Sequence, residues 1–323
     1  VAILNAAAAC HTYVFLRDFR FPVDMRSERR GLVALLIVTI VWGTTFPAMK
    51  LLSQHLDALQ IIWARFAIAL LVLLPLWRGM RGSECRWGLA LGMLLFIAFW
   101  LQIEGLARTT SNRNAFVTGL NVLVVPILAM LVLGRRYGLA LWAACGMALL
   151  GMTLMFHENE PWNLGDTLTL ASTFFYAVYI LALEECARRT AGQPLRATRM
   201  AAAQATVMFV AASVLVVIRH GDMQGALGPL LDIPPASWIA LVYLGVFASV
   251  LVVTLQAWGQ QRVDAMRSAI IYGLEPVFAA TMGWFLIGES LGITGLFGAA
   301  LIVGALIVSQ LQPPKAVPQC GQS

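Results

Sequence analysis

The sequence predicts an all-α polytopic membrane protein: ten transmembrane helices forming two inverted five-helix repeats, with both termini cytoplasmic. Three observations predict it. Hydrophobic residues make up 60% of the 323 residues and charged residues 12%, roughly half the charge that a soluble surface needs. Apolar runs of about 18–22 residues recur from Leu32 to Gln310; that length suits spanning helices, whereas barrel strands would be shorter and would alternate. Third, residues 255–310 lie without a gap over 101–156 at a shift of 154 positions, with ten identities between 101–138 and 255–292.

Those identities pair Leu101 with Leu255, Gln102 with Gln256, Gly105 with Gly259, Arg108 with Arg262 and Arg113 with Arg267. The rest pair Ala115 with Ala269, Gly119 with Gly273, Leu120 with Leu274, Gly134 with Gly288 and Gly138 with Gly292. Apolar composition alone would match mostly Leu with Leu. Matched glycines, glutamines and arginines point to one unit used twice.

Residues 1–30 read as a disordered or misassigned leader. Their apolar part is short, is broken by His11 and lacks a basic start, and Met25 ahead of Ser27-Glu28-Arg29-Arg30 is a plausible functional start. Residues 31–156 form the first repeat, 165–311 the second, and 312–323 a disordered tail. The ten spans fall near 32–52, 58–77, 87–107, 114–133, 138–156, 165–183, 199–218, 237–257, 268–287 and 291–310. At 1.5 Å per residue each covers roughly the 30 Å apolar layer.

Placing the N-terminus inside puts 17 Lys and Arg residues on the cytoplasmic side and four (Lys50, Arg108, Arg113, Arg219) outside, with Arg65 within a span. That asymmetry predicts N-in, C-in. Five spans per unit is an odd number, so the second unit would be inverted.

The net charge of +6 is dispersed between apolar segments, so nucleic acid is not an expected partner. The five cysteines stand singly, without C-x-x-C, and suggest neither metal site nor disulfide framework. His11, His55, His157 and His220 lie singly in loops or the leader, and no P-loop, G-x-G-x-x-G or H-E-x-x-H occurs. No enzyme activity, cofactor or metal is expected.

Polar residues within apolar spans carry the functional signal. Asn114, Thr118 and Asn121 are spaced to share a helical face, and the shift maps them onto Ser268, Tyr272 and Glu275. Two readings fit: polar walls of a shared cavity, or interhelical hydrogen bonds that hold the bundle together. Glu275 is costly in hydrocarbon unless paired, protonated or wet, and Pro276 leaves the Tyr272 carbonyl without its usual helical donor. It reads either as a solute or proton contact or as a structural carboxylate. Arg65 and Glu104 lie near one membrane surface and form a candidate structural ion pair; Arg65 alone could also snorkel outward. Trp42, Thr45, Tyr176 and Tyr179 are candidates for an aromatic and polar wall, or for packing. Gln102 and Gln256 are repeat-related amides. Gly295, Gly298 and Gly304 with Ala299 and Ala300 offer a small-residue face, for internal packing or a second copy, so a monomer or weak homodimer is expected.

Together these residues resemble the drug/metabolite transporter superfamily, and within it the ten-span EamA-type permeases. The resemblance rests on Trp42-Gly43, Arg65-Phe66 and Phe116-Val117-Thr118-Gly119-Leu120 with Pro126 in the first unit. In the second it rests on Leu274-Glu275-Pro276-Val277-Phe278, Gly288-Glu289 and Gly298-Ala299-Ala300-Leu301-Ile302. It covers about 31–311. Two departures stand out: Gly134-Arg135-Arg136 where the family commonly has glutamate, and Phe175-Tyr176 where the first unit has Trp42-Gly43.

The resemblance implies secondary transport of small organic solutes, amino acids and related metabolites among them, by alternating access in a bacterial cytoplasmic (inner) membrane, with export or exchange as the direction and export the favoured one. Proton exchange through Glu275 and plain facilitated diffusion both stay open. The alternative is a non-transporting sensor or assembly protein on the same scaffold, with a membrane enzyme third. The expected partners are the solute and the bilayer.

Overall fold

The computed structural model describes residues 25–155, 161–287 and 292–310. Among them every regular element is helical. Helix α1 runs Met25–Leu52, α2 Ala58–Leu73 with a tighter turn Leu74–Trp77, and α3 Gly82–Leu106. Next come α4, Ser111–Gly119, and α5, Asn121–Leu133, then α6, Leu139–Met155. Helices α7, Leu164–Arg189, and α8, Ala197–His220, are followed by the short α9, Met223–Leu231. Helix α10, Pro235–Tyr243, passes through a wide π-helical turn, Leu244–Leu251, into α11, Val252–Gln260. The chain ends in α12, Ala265–Tyr272, α13, Glu275–Ile287, and α14, Ile293–Gln310.

The expectation of ten spans in two inverted five-helix repeats does not hold. Among the described residues, seven helical stretches are long and apolar enough to cross a membrane: Met25–Leu52, Ala58–Trp77, Gly82–Leu106, Ser111–Leu133, Leu164–Arg189, Ala197–His220 and Pro235–Gln260. Helix α6 has 17 residues and covers roughly 25 Å, short of the roughly 30 Å layer; the apolar stretch Ile293–Ser309 is in the same short class. The apolar run at 265–287 is cut into helices of 8 and 13 residues. The cut has a local cause. The Gly273 and Leu274 amides bond back to Ala269 and Ile271, and Pro276 has no N–H to offer. Hydropathy registers apolar length but not this break. No clear pair of inverted five-helix halves results, and the N-in, C-in orientation, which assigned Lys and Arg to sides across ten alternating spans, goes with it.

Helix α1 also begins at Met25 rather than near Leu32. Glu28 pairs with Arg267, and Gly31 lies close against α11, where an added Cβ would stand 3.2 Å from the Gly259 oxygen. The predicted leader residues 1–24, the tail 312–323, His157 and Gly288-Glu289 lie outside the described residues.

Two apolar cores organise the bundle. One gathers α2, α3 and α8 with the C-terminal part of α1; the other gathers α5, α6, α12 and α14 with the N-terminal part of α1. Outward, Leu71, Leu131, Val132, Ile218 and Ile239 are exposed, as expected of a surface solvated by lipid tails.

Polar clamps hold the helix ends. At the end where α2 finishes and α3 begins, the fully buried Glu84 accepts the Arg81 amide at 2.9 Å, the Arg81 Nη2 at 2.9 Å and the Arg196 amide at 3.0 Å. It thereby caps α3 and ties it to α8. At the opposite end Asp166 accepts the Asn163 amide at 2.8 Å and pairs with Arg113 at 2.7 Å, while Lys50 Nζ donates to the Leu106 and Thr109 carbonyls. Glu84→Ala strands two backbone donors and the guanidinium groups of Arg81 and Arg199; it is expected to cost about 2–3 kcal/mol, read as a lower melting temperature of the purified protein.

Candidate solute cavity

A cavity opens at the seam between the two cores. Its empty space is about 520 Å³, part of it open to solvent. The lining is Trp42, Thr45 and Met49 of α1, Arg65 of α2, Phe99 and Gln102 of α3, Thr118 of α4 and Asn121 of α5. Tyr176 and Ile180 of α7, Gln256 of α11, Tyr272 of α12 and Glu275 of α13 complete it.

Broken helices bring the polar groups there. The chain turns at Leu120 between α4 and α5 and at Gly273-Leu274 between α12 and α13. These positions coincide under the 154-residue shift, and each break leaves a polar residue, Asn121 or Glu275, opening the next helix. The asparagine Oδ1 of Asn121 is buried and has no hydrogen-bond partner among the described residues. An orphaned buried acceptor is uncommon. Glu275 is 5% exposed, and its carboxyl has neither ion pair nor hydrogen bond among the described residues.

One wall is a relay of bonded polar groups. The Tyr176 hydroxyl donates to Gln102 Oε1 at 2.8 Å, and Gln102 Nε2 donates to Thr118 Oγ1 at 3.1 Å. Gln102 is therefore fixed between α4 and α7. Tyr176→Phe is expected to free that amide while keeping the ring; the outcome to measure is a solute KM raised about five-fold with little change in melting temperature, since one lost net hydrogen bond is worth about 1 kcal/mol. Facing the relay, the Trp42 and Tyr272 rings meet with centroids 5.0 Å apart, and Phe99 meets Tyr176 edge-on at 5.8 Å.

Arg65 departs most from expectation. Glu104 does not pair with it: Glu104 pairs with Arg108 at 2.6 Å and with Arg219 at 2.9 Å. Arg65 instead points inward, 1% exposed. Its Nε donates to Ser249 Oγ at 2.9 Å, its Nη1 faces the Met49 sulfur at 3.8 Å, and its guanidinium lies over Phe99 at 4.8 Å. Ser249 belongs to the π-helical turn and donates in turn to the Leu244 carbonyl five residues back. Such wide turns recur at functional sites. This one lets the α10–α11 strut approach α2 where Gly245 meets Ile68, an added Cβ standing 2.8 Å from that side chain.

Nine of the eleven sequence candidates line the cavity: Trp42, Thr45, Gln102, Thr118, Asn121, Tyr176, Gln256, Tyr272 and Glu275. Two do not. Asn114 donates to the Gln102 carbonyl at 3.2 Å and to Thr169 Oγ1 at 2.7 Å, fastening α4 to α3 and α7. Tyr179 is fully buried and donates to Gln204 Oε1 at 2.8 Å, toward α8. Met49, Phe99 and Ile180 were missed; each is an ordinary apolar residue in an apolar run. Arg65 carried a legible signal, a lone charge within such a run.

The pattern of the EamA-like transporter family matches this chain twice, over residues 29–157 and 163–310. The chain belongs to the EamA-like transporter family. A protein of Archaeoglobus fulgidus described as an uncharacterized transporter is 25% identical over 280 residues, covering 87% of this chain and 85% of its own. The uncharacterized transporter YcxC of Bacillus subtilis is 24% identical, covering 90% and 95%; YwfM of the same organism is 26% identical, covering 87% and 94%. A solved crystal structure shares the fold with a TM-score of 0.65 at 18% identity, over 87% of this chain and 96% of that one. This EamA-like chain is thus a multi-pass membrane protein of a transporter family. Among its described residues no group of three or more His, Cys, Asp or Glu stands ready for a metal.

Proposed function

We propose that this EamA-like protein is a secondary transporter that carries small organic solutes, amino acids and related amphipathic metabolites among them, through the Trp42–Glu275 cavity by alternating access. The carrying observation is the cavity itself: a space at the seam of two cores, lined by a bonded polar relay, aromatic rings and unpartnered polar groups. A packing role for the polar stripe would satisfy those groups with one another; Asn121 and Glu275 are not so satisfied. The clamps around Glu84 at one end and around Asp166, Lys50 and Glu104 at the other bracket the cavity, and are the contacts that would exchange as one end opens. Glu275 is the one carboxylate among the described residues of the lining, hence the group positioned to exchange a proton for the solute.

Export is the proposed direction. The test is a metabolite profile of spent medium from cells overproducing the wild-type chain, against cells with an empty vector. The expected result is one or a few organic solutes raised several-fold outside. Identical profiles, together with no solute flux in proteoliposomes, would return the chain to the sensor or assembly reading.

A further inference from the structure

A basic corner forms where the first turns of α1 meet the end of α11. Gly31 sets the approach: a Cβ added there would stand 2.9 Å from the Arg262 Cβ. Arg262 is held in place. Its guanidinium lies over the Trp258 ring, 3.8 Å from the centroid, and its Nη1 donates to the Trp258 carbonyl at 2.7 Å. Trp258 packs in turn against the first apolar core, so the guanidinium rests on a fixed aromatic platform. Burial, and then the positive charge of Arg30 beside it, hold Arg262 below the usual arginine range. Arginine keeps its proton in proteins, so two positive charges face each other here. The acidic residues of this corner, Glu28 and Asp264, both pair with Arg267 instead. Arg29 and Arg30 are exposed, and among the described residues neither has a hydrogen bond or an ion pair.

The same face of α1 continues as an apolar stripe turned outward. Val33, Ile37 and Ile40 follow Arg29 and Arg30 at helical spacing and are 57%, 40% and 38% exposed. A free phosphate would answer the arginines and leave the stripe unused. A zwitterionic headgroup would bring a cation of its own back to the pair. We infer that Arg30 and Arg262 bind the phosphate of an anionic phospholipid, whose acyl chains lie along Val33, Ile37 and Ile40. The guanidinium fork suits two-point contact with phosphate oxygens, and basic clusters at the ends of spanning helices hold anionic headgroups in this way. None of these residues lines the solute cavity, so the lipid site is a separate one.

The test is native mass spectrometry of the full chain in neutral detergent, titrated with phosphatidylglycerol, phosphatidylcholine or inorganic phosphate. Phosphatidylglycerol is expected to be retained at least about tenfold more tightly than phosphatidylcholine, since each arginine near an anionic headgroup contributes about a factor of five. Inorganic phosphate is expected to leave no retained adduct. Arg30→Gln with Arg262→Gln is expected to erase the preference between the lipids. Arg86→Gln with Arg136→Gln, which removes two exposed arginines elsewhere, is expected to keep it. Equal retention of the two lipids would overturn the inference. So would a preference lost alike in both double variants, the mark of a diffuse surface charge. Phosphate held as tightly as phosphatidylglycerol would overturn the lipid assignment in favour of an ion site. If the Arg30 and Arg262 double variant fails to fold, Arg30→Gln alone, a change at an exposed position, decides: an undiminished preference would overturn the site. None of these outcomes bears on the transport reading.

Discussion

Replacing Glu275 with Gln is expected to uncouple solute movement from a pH gradient. One pH unit supplies about 1.4 kcal/mol, so a wild type exchanging one proton per solute would build up to about a tenfold solute ratio. The Glu275→Gln chain would settle near a ratio of one at any imposed gradient. Glutamine keeps the size and hydrogen-bonding capacity of the side chain but cannot titrate. The ratio is the readout rather than the rate, because the same change also alters the wall of the cavity. Arg65, Tyr176, Tyr272, Asn121 and Gln256 share the lining, and among its described residues no other carboxylate can replace Glu275. Gradient-driven accumulation that survives in the variant would remove Glu275 from the mechanism, and a wild type that never exceeds a ratio of one would favour facilitated diffusion.

The largest structural effect is expected at the crossing of α6 and α14. An added Cβ at Gly151 would stand 2.5 Å from the Gly298 oxygen, and one at Gly298 would stand 2.4 Å from the Gly151 oxygen. Each glycine meets backbone, which cannot swing aside as a side chain can. Such close approach is how small residues pack helices in lipid. Gly151→Val is expected to cost roughly 3 kcal/mol and to lower the melting temperature of the detergent-solubilised protein by about 5–10 °C. Gly146→Ala, on the same helix with open space beside it, is expected to leave it unchanged.

The helical membrane class was readable from composition because apolar runs of that length have few other uses. The number of spans was not. A run such as 265–287 reads as one helix by hydropathy, and the tightened bond of the Leu274 amide to Ile271, with Pro276 two residues on, divides it. The polar stripe was legible as a face, and two of its first three residues reach the cavity. Asn114, one turn nearer the end of the bundle, finds Thr169 and the Gln102 carbonyl first. Tyr179 stands three residues after Tyr176, enough rotation around α7 to meet Gln204 of α8 instead. The pairing of Arg65 with Glu104 failed because sequence depth alone cannot rank partners: Glu104 lies beside Arg108, one helical turn away, and Arg219 of α8. No periodicity could foretell that Ser249 would be carried to Arg65 by a π-helical turn.

The central claim is that the space between the two cores is the solute's path. Its most direct test is thiol labelling of Asn121→Cys in a background with the native cysteines replaced, beside Leu91→Cys in the dry core of α3. A small water-soluble thiol reagent is expected to modify the cysteine at 121, more slowly when the transported solute is present, and to leave that at 91 untouched. Equal inertness at both positions, or labelling at 121 that solute does not slow, would contradict it.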